Sequence, residues 1–232
     1  MNYGNSSKNT ICEQPFGCGY IAGVTGVILA GGASRRMGKN KSFLKIGERL
    51  LIERVYAIMA VLFRDIIMVT NTPELYEFIS CRTVADIYPG AGPIAGLHAG
   101  LRASGTDRIF AAACDMPFLN AALIRFLCQN SEEYDAIVPL SCSGFCEPLH
   151  ALYAKSALNA MQQAIELGDK SIMNLLDRLK TKQIANDTFQ SIHGAEESFR
   201  NLNTPEEFSE VTKLTRGVQP ECGSAAFKPC PK

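Results

Sequence analysis

The chain has 232 residues, enough for one full hydrophobic core or at most two small ones. Its 23 Lys and Arg balance 23 Asp and Glu, so no global field recruits nucleic acid or an anionic membrane; affinity for anions must be local. No apolar run nears the ~18 residues of a membrane span, and the start lacks the basic and apolar regions of a signal peptide, which makes a cytoplasmic location the expectation.

Residues 1–22 and 216–232 are rich in Gly, Pro, Ser and Cys without periodicity. They are expected to be disordered extensions flanking one domain at 23–215. Inside it, "GVTGVILA" predicts a strand and "LLIERVYAIMAVLF" a helix. "DIIMVTN" is a second strand, Thr72-Pro73 starts a short helix with Pro at its first position, and "CRTVADI" is a third strand. "GPIAGLHAGLRAS" predicts a helix with Gly96 and Gly100 one turn apart for close packing. "DRIFAAACD" is a fourth strand, apolar on both faces as central parallel strands are. A helix at 120–130 leads to "YDAIVPL". Alternating strands and helices imply a three-layer α/β fold with a mostly parallel sheet.

After residue 140 the texture changes. "CEPLHALY" suggests an antiparallel strand, "KSALNAMQQAIEL" an amphipathic helix and "SIMNLLDRL" a shorter one. In "NTPEEF", Thr204, Pro205 and Glu207 form a helix-starting capping box. This half, 141–215, is expected to be an acceptor-binding flank beside a nucleotide-binding half at 23–140.

The chemistry concentrates in "ILAGGASRRMGKNKSFL", residues 28–44. It fails the Walker pattern, because five residues separate Gly32 from Gly38 and Asn40 follows Lys39. It fails the dinucleotide pattern too, because Gly31 and Gly32 are adjacent. What remains is a strand–loop–helix turn in which Gly31 and Gly32 let the backbone turn and present N–H groups. Arg35, Arg36, Lys39 and Lys41 supply counter-charge for a polyphosphate. Asp86 and Asp115 end strands three and four, so both lie on the sheet edge that carries the glycine loop, where open α/β sheets bind ligands. Asp115 either caps the next helix or holds Mg2+, which prefers one or two carboxylates plus phosphate oxygens. Asn201 and Asn203 fit a turn before a helix.

Of nine cysteines, Cys81, Cys114 and Cys128 sit in apolar patterns and are expected to be small buried hydrophobes. Cys142 and Cys146 are half of a metal-site spacing without a second pair. Cys12, Cys18, Cys222 and Cys230 lie in the two terminal segments, as free thiols or as a zinc or disulfide clip. His98, His150 and His193 have no partner at catalytic spacing, so covalent catalysis is not suggested.

"LAGGASRRMGKNK" resembles the LAGG-x-S-x-R-M-G-x-D-K signature of nucleotidyltransferases, most of all the molybdenum cofactor guanylyltransferase (MobA) family. "VADIYPGAGPIAGL", "CDMPFL", "GDKSIMNLL" and "NLNTPEEF" follow in the family's order, over residues 24–212. The signature departs at Asn40, where Asp is usual. The resemblance implies a Rossmann-like nucleotidyltransferase fold and transfer of GMP from GTP to molybdopterin in its molybdenum-loaded cofactor form. It implies Mg2+ as cofactor and a molybdenum insertase or molybdoenzyme chaperone as partner. It assigns Leu29, Ala30, Gly31, Lys41 and Asp86 to GTP, with Gly32 in the same loop. Arg36, Lys41 and Asp115 would be catalytic, with Asp115 at the metal, and Asn201 and Asn203 match family positions near the acceptor. A sibling enzyme using CTP or another phosphorylated acceptor, and a non-catalytic nucleotide- or metal-binding module, are the alternatives.

Overall fold

The computed structural model describes residues 19–31, 41–129, 133–202 and 207. Strand β1, Val24–Leu29, is followed by a short 3-10 turn at Lys41–Phe43 and a two-residue hairpin, β2 (Lys45–Ile46) and β3 (Arg49–Leu50). Gly47 turns that hairpin at φ 64°, a conformation other residues rarely adopt.

Helix α1, Leu51–Leu62, buries Leu51, Ile52, Val55, Met59 and Leu62. Its apolar spacing follows the helical repeat, and Glu53 accepts a 2.7 Å hydrogen bond from the Leu50 N–H at its start. Strand β4 (Ile66–Val69), a 3-10 turn (Pro73–Tyr76) and strand β5 (Arg82–Val84) follow. Helix α2 is Pro93–Ala103, β6 is Arg108–Ala113 and α3 is Ala121–Gln129. Strands β7 (Ala136–Pro139) and β8 (His150–Ala154), helices α4 (Leu158–Glu166) and α5 (Ile172–Arg178), and strand β9 (Thr181–Ile184) complete the fold.

The seven-stranded sheet has the order β5-β4-β1-β6-β8-β7-β9. Only β8 runs antiparallel to its neighbours, inserted between β6 and β7. The other pairs are parallel. Helices α1 and α3 cover one face, and α2, α4 and α5 cover the other. This is the three-layer, mostly parallel architecture expected from the alternation of strand and helix patterns.

Two glycines bring α2 down onto the sheet. A Cβ at Gly100 would lie 2.7 Å from Val27 Cγ1, and one at Gly96 would lie 3.1 Å from Leu29 Cδ2. Sequence order reverses between β1 and β6: β4 and β5 continue to one side of β1, while β6 lies on the other. Such a switch point opens a crevice at the carboxyl ends of the strands. At the opposite end of the strands, Ile21 donates its N–H to the Leu62 carbonyl at 2.8 Å and packs against the core. The chain is therefore tied to the domain by residue 21.

Candidate active site

The crevice between β1 and β6 is closed by backbone pairing before any side chain is considered. The Ala30 N–H donates to the Val69 carbonyl at 2.9 Å, and the Cys114 N–H donates to the Leu29 carbonyl at 3.2 Å. Leu29, Ala30 and Gly31 thus leave the sheet beside Cys114 and Asp115. Gly31 is exposed and is not among the glycines with positive φ. Among the described residues, a Cβ there would meet nothing nearer than the Val69 carbonyl oxygen at 3.8 Å. Gly32, Arg35, Arg36 and Lys39 lie outside the described residues, as does Asn203.

Lys41 re-enters at the 3-10 turn. Its Nζ lies 3.9 Å from Asp115 Oδ2, with side-chain exposures of 19% and 25%. The turn is bolted down from beneath. Ser42 is fully buried and donates to Cys114 Sγ at 3.2 Å. The Tyr76 hydroxyl reaches Ser42 Oγ at 3.1 Å and the Ala30 carbonyl at 3.2 Å. Phe43 stacks on the Tyr76 ring at 5.2 Å. One buried tyrosine therefore fixes both the strand end and the lysine turn.

Asp115 lies two residues beyond β6, in a turn. Burial holds its carboxyl above the usual carboxylate range, and Lys41 offsets part of that rise. The helix-cap reading fails: α3 is capped by Asn120, whose Oδ1 accepts from the N–H groups of Ala122 and Leu123 at 3.0 and 3.1 Å. The Asp115 carboxylate is left facing Lys41. A half-buried hard oxygen donor beside Lys41 suits Mg2+ when phosphate oxygens supply the remaining ligands. Among the described residues no group of three His, Cys, Asp or Glu side chains could hold a metal by itself. The carbonyl of Asp115 accepts from the Leu202 N–H at 3.3 Å, and Leu202 is buried with Ile46 and Leu51. Asn201 is thereby carried to the same place, with its Oδ1 buried and unpartnered.

Asp86 lies two residues beyond β5. Its N–H donates to Asn71 Oδ1 at 2.9 Å, and Asn71 Nδ2 donates to Asp86 Oδ2 at 3.3 Å. Its other oxygen, Oδ1, is buried without a partner. Burial raises the Asp86 carboxyl, and the Asn71 hydrogen bond pulls the other way. An orphaned acceptor at a ligand edge is a group waiting for a donor. Asn71 went unnoticed in the sequence, although it lies two residues beyond β4 on the same edge and the rule that selected Asp86 selects it too.

The cysteine expectations need correction. Cys128 is buried, while Cys81 and Cys114 pack against the core as half-buried residues, the Cys114 thiol turned inward. Burial pushes the Cys114 thiol up to about 11, so it serves as acceptor to Ser42 and not as a nucleophile. Cys142 is exposed, and its N–H donates to Glu196 Oε1 at 2.7 Å. His98 lies on α2 and His150 on β8, both buried, while His193 is exposed in a loop. Both ring nitrogens of His150 are unpartnered, and burial drives its pKa down to about 3.

Comparison with known proteins bears on this geometry. Residues 26–184 match the MobA-like NTP transferase domain family. A probable molybdenum cofactor guanylyltransferase of Peptoclostridium acidaminophilum is 34% identical over 201 residues, covering 84% of this chain and 90% of the relative. The molybdenum cofactor guanylyltransferase of Syntrophotalea carbinolica is 34% identical over 203 residues, covering 86% and 97%. The crystal structure of molybdopterin-guanine dinucleotide biosynthesis protein A from Archaeoglobus fulgidus superimposes with a TM-score of 0.74 at 28% identity, covering 84% of this chain and all of that one. With the match running from β1 to β9, the chain belongs to the MobA-like NTP transferase family and is a nucleotidyltransferase.

Proposed function

We propose that this enzyme transfers GMP from GTP to the terminal phosphate of molybdenum-loaded molybdopterin, with Mg2+ as cofactor. An acceptor phosphate oxygen forms a bond to the α-phosphorus as the bond to the β-phosphate bridge breaks and pyrophosphate leaves. The observation that carries the reading is the Lys41–Asp115 pair at the β1/β6 crevice. The relatives named for this activity support the choice of substrates.

The acceptor is already an anionic nucleophile, so catalysis rests on positioning and charge neutralisation, with little general-base work. Leu29, Ala30, Gly31 and Gly32 would line the nucleotide. Asp86, held by Asn71, would accept from N–H donors of guanine with its unpartnered Oδ1. Lys41 and Arg36 would offset negative charge on the transferred phosphate and the departing pyrophosphate. Asp115 would hold Mg2+, which supplies further charge neutralisation on phosphate oxygens when bound. Asn201 would contact the acceptor.

The test is α-labelled nucleotide. Labelled GTP, but not labelled CTP, should pass its label to molybdenum cofactor in the presence of Mg2+. Transfer from CTP with none from GTP would reject the guanine assignment.

A further inference from the structure

Beyond β6 the same edge of the sheet carries a feature that the nucleotide does not use. Strand β7 runs parallel to β6 with β8 between them. The loop from β7 to β8 therefore leaves the sheet on the Asp115 side, two strand spacings along, or about 10 Å. That loop is braced. The Ser141 N–H donates to the Phe145 carbonyl at 2.9 Å, and the Gly144 N–H donates to the Ser141 carbonyl at 2.8 Å. Leu140 and Cys146 form an isolated bridge, and the Glu147 N–H donates to the Pro139 carbonyl at 3.0 Å. Yet this rigid turn holds Phe145 72% exposed. Behind it Glu147 is half-buried, and no hydrogen bond to its carboxyl is found among the described residues. Its neighbour Glu196 is committed: Oε1 accepts from the Cys142 N–H at 2.7 Å and Oε2 from Asn186 Nδ2 at 2.6 Å.

A pterin has a flat face for an aromatic ring and an aminopyrimidinone edge with adjacent N–H donors, which one carboxylate accepts as a pair. Guanine has the same edge, and Asp86 lies at the other end of the row. We infer that the β7–β8 loop is the acceptor's ring pocket, in which Phe145 stacks on the pterin and Glu147 accepts from its aminopyrimidinone edge. The inference rests on the molybdopterin reading above and extends it to the residues that select the acceptor.

The carboxyl state gives a signature that a structural role would not produce. Burial and the facing Glu196 raise Glu147 to about 7. Among the described residues the groups around it are Glu196 and Cys146, with Asp177 of α5 acting on Cys146. Paired N–H donors favour the ionised form, so pterin affinity should rise with pH as Glu147 ionises.

Hydroxymethylpterin monophosphate is a fluorescent probe, and the chain contains no Trp to interfere. Titrated into the full chain, it should bind saturably. Phe145→Ala should weaken binding about tenfold or more, in line with stacking on other flat heterocycles. Phe145→Tyr, which keeps the flat ring, should hold it near wild type, with the melting temperature unchanged in both variants. Between about pH 6 and pH 8 the wild type should gain affinity more steeply than Glu147→Gln; the probe's own phosphate titrates equally with both proteins. A wild type that binds no probe, a Phe145→Ala variant that binds as well as wild type, or identical pH profiles would overturn the inference. Label transfer from GTP would still stand in those cases, whereas loss of that transfer in the wild type rejects the underlying function.

Discussion

Asp115 carries the most at the scale of single residues. Asp115→Asn keeps size and hydrogen bonding but removes the charge that a divalent cation requires. Because Asn120 and not Asp115 caps α3, the variant should hold its melting temperature while transfer falls by about a hundredfold or more. Near wild-type turnover would move the metal elsewhere, with Asp86 the next carboxylate on the edge. Glu147 makes a stability prediction of opposite sign to the usual carboxylate case. Its raised pKa means that the folded chain binds the proton more tightly than the unfolded chain does. Stability is therefore present at low pH and lost as pH rises, over a window from about 4.5 to about 7. Glu147→Gln should gain melting temperature over wild type at about pH 8 and little at about pH 4.5. A constant difference across that range would mean that Glu147 titrates alike in the folded and unfolded chain.

Among the elements, α2 packs closely on β1 through Gly96 and Gly100. Alanine at Gly100 would gain about 1 kcal/mol of helix propensity, but its Cβ would press on Val27 Cγ1 at 2.7 Å and Cγ2 at 3.2 Å. Overpacking of this kind costs about 1–3 kcal/mol. Gly100→Ala should lower the denaturation midpoint, and a raised midpoint would show that α2 lifts from the sheet freely. The elements themselves were legible wherever apolar residues repeat. Strands β1, β4, β5, β6 and β7 and helices α1 to α5 lie where period and capping put them, and β8 is antiparallel as its alternation suggested. Strand β9, "TKQI", was not foreseen: three of its four residues keep contact with solvent, so it carries no apolar signal. The β2–β3 hairpin was missed because two-residue strands show no period, although Gly47 marked the turn. The site was legible in its charged residues at strand ends. Asn71, Tyr76 and Ser42 were not, because their roles come from what they touch across the fold.

For the whole molecule, the account is one of order along a sheet edge. Asp86 follows β5, the glycine turn follows β1, Asp115 follows β6 and the Phe145 loop follows β7. That row would bind guanine, triphosphate, acceptor phosphate and pterin in sequence. Deleting residues 1–18, ahead of the Ile21–Leu62 anchor, should leave GTP binding and melting temperature intact. A large fall in melting temperature would reveal that the cysteines Cys12 and Cys18 form a structural clip. The central claim, that this edge joins GTP to a phosphorylated pterin, is tested most directly by pyrophosphate release from each of the four nucleotides with and without molybdenum cofactor. Release should occur with GTP alone among the nucleotides, and only when cofactor and Mg2+ are both present. Release that is indifferent to the cofactor, or that proceeds with another nucleotide in place of GTP, would contradict it.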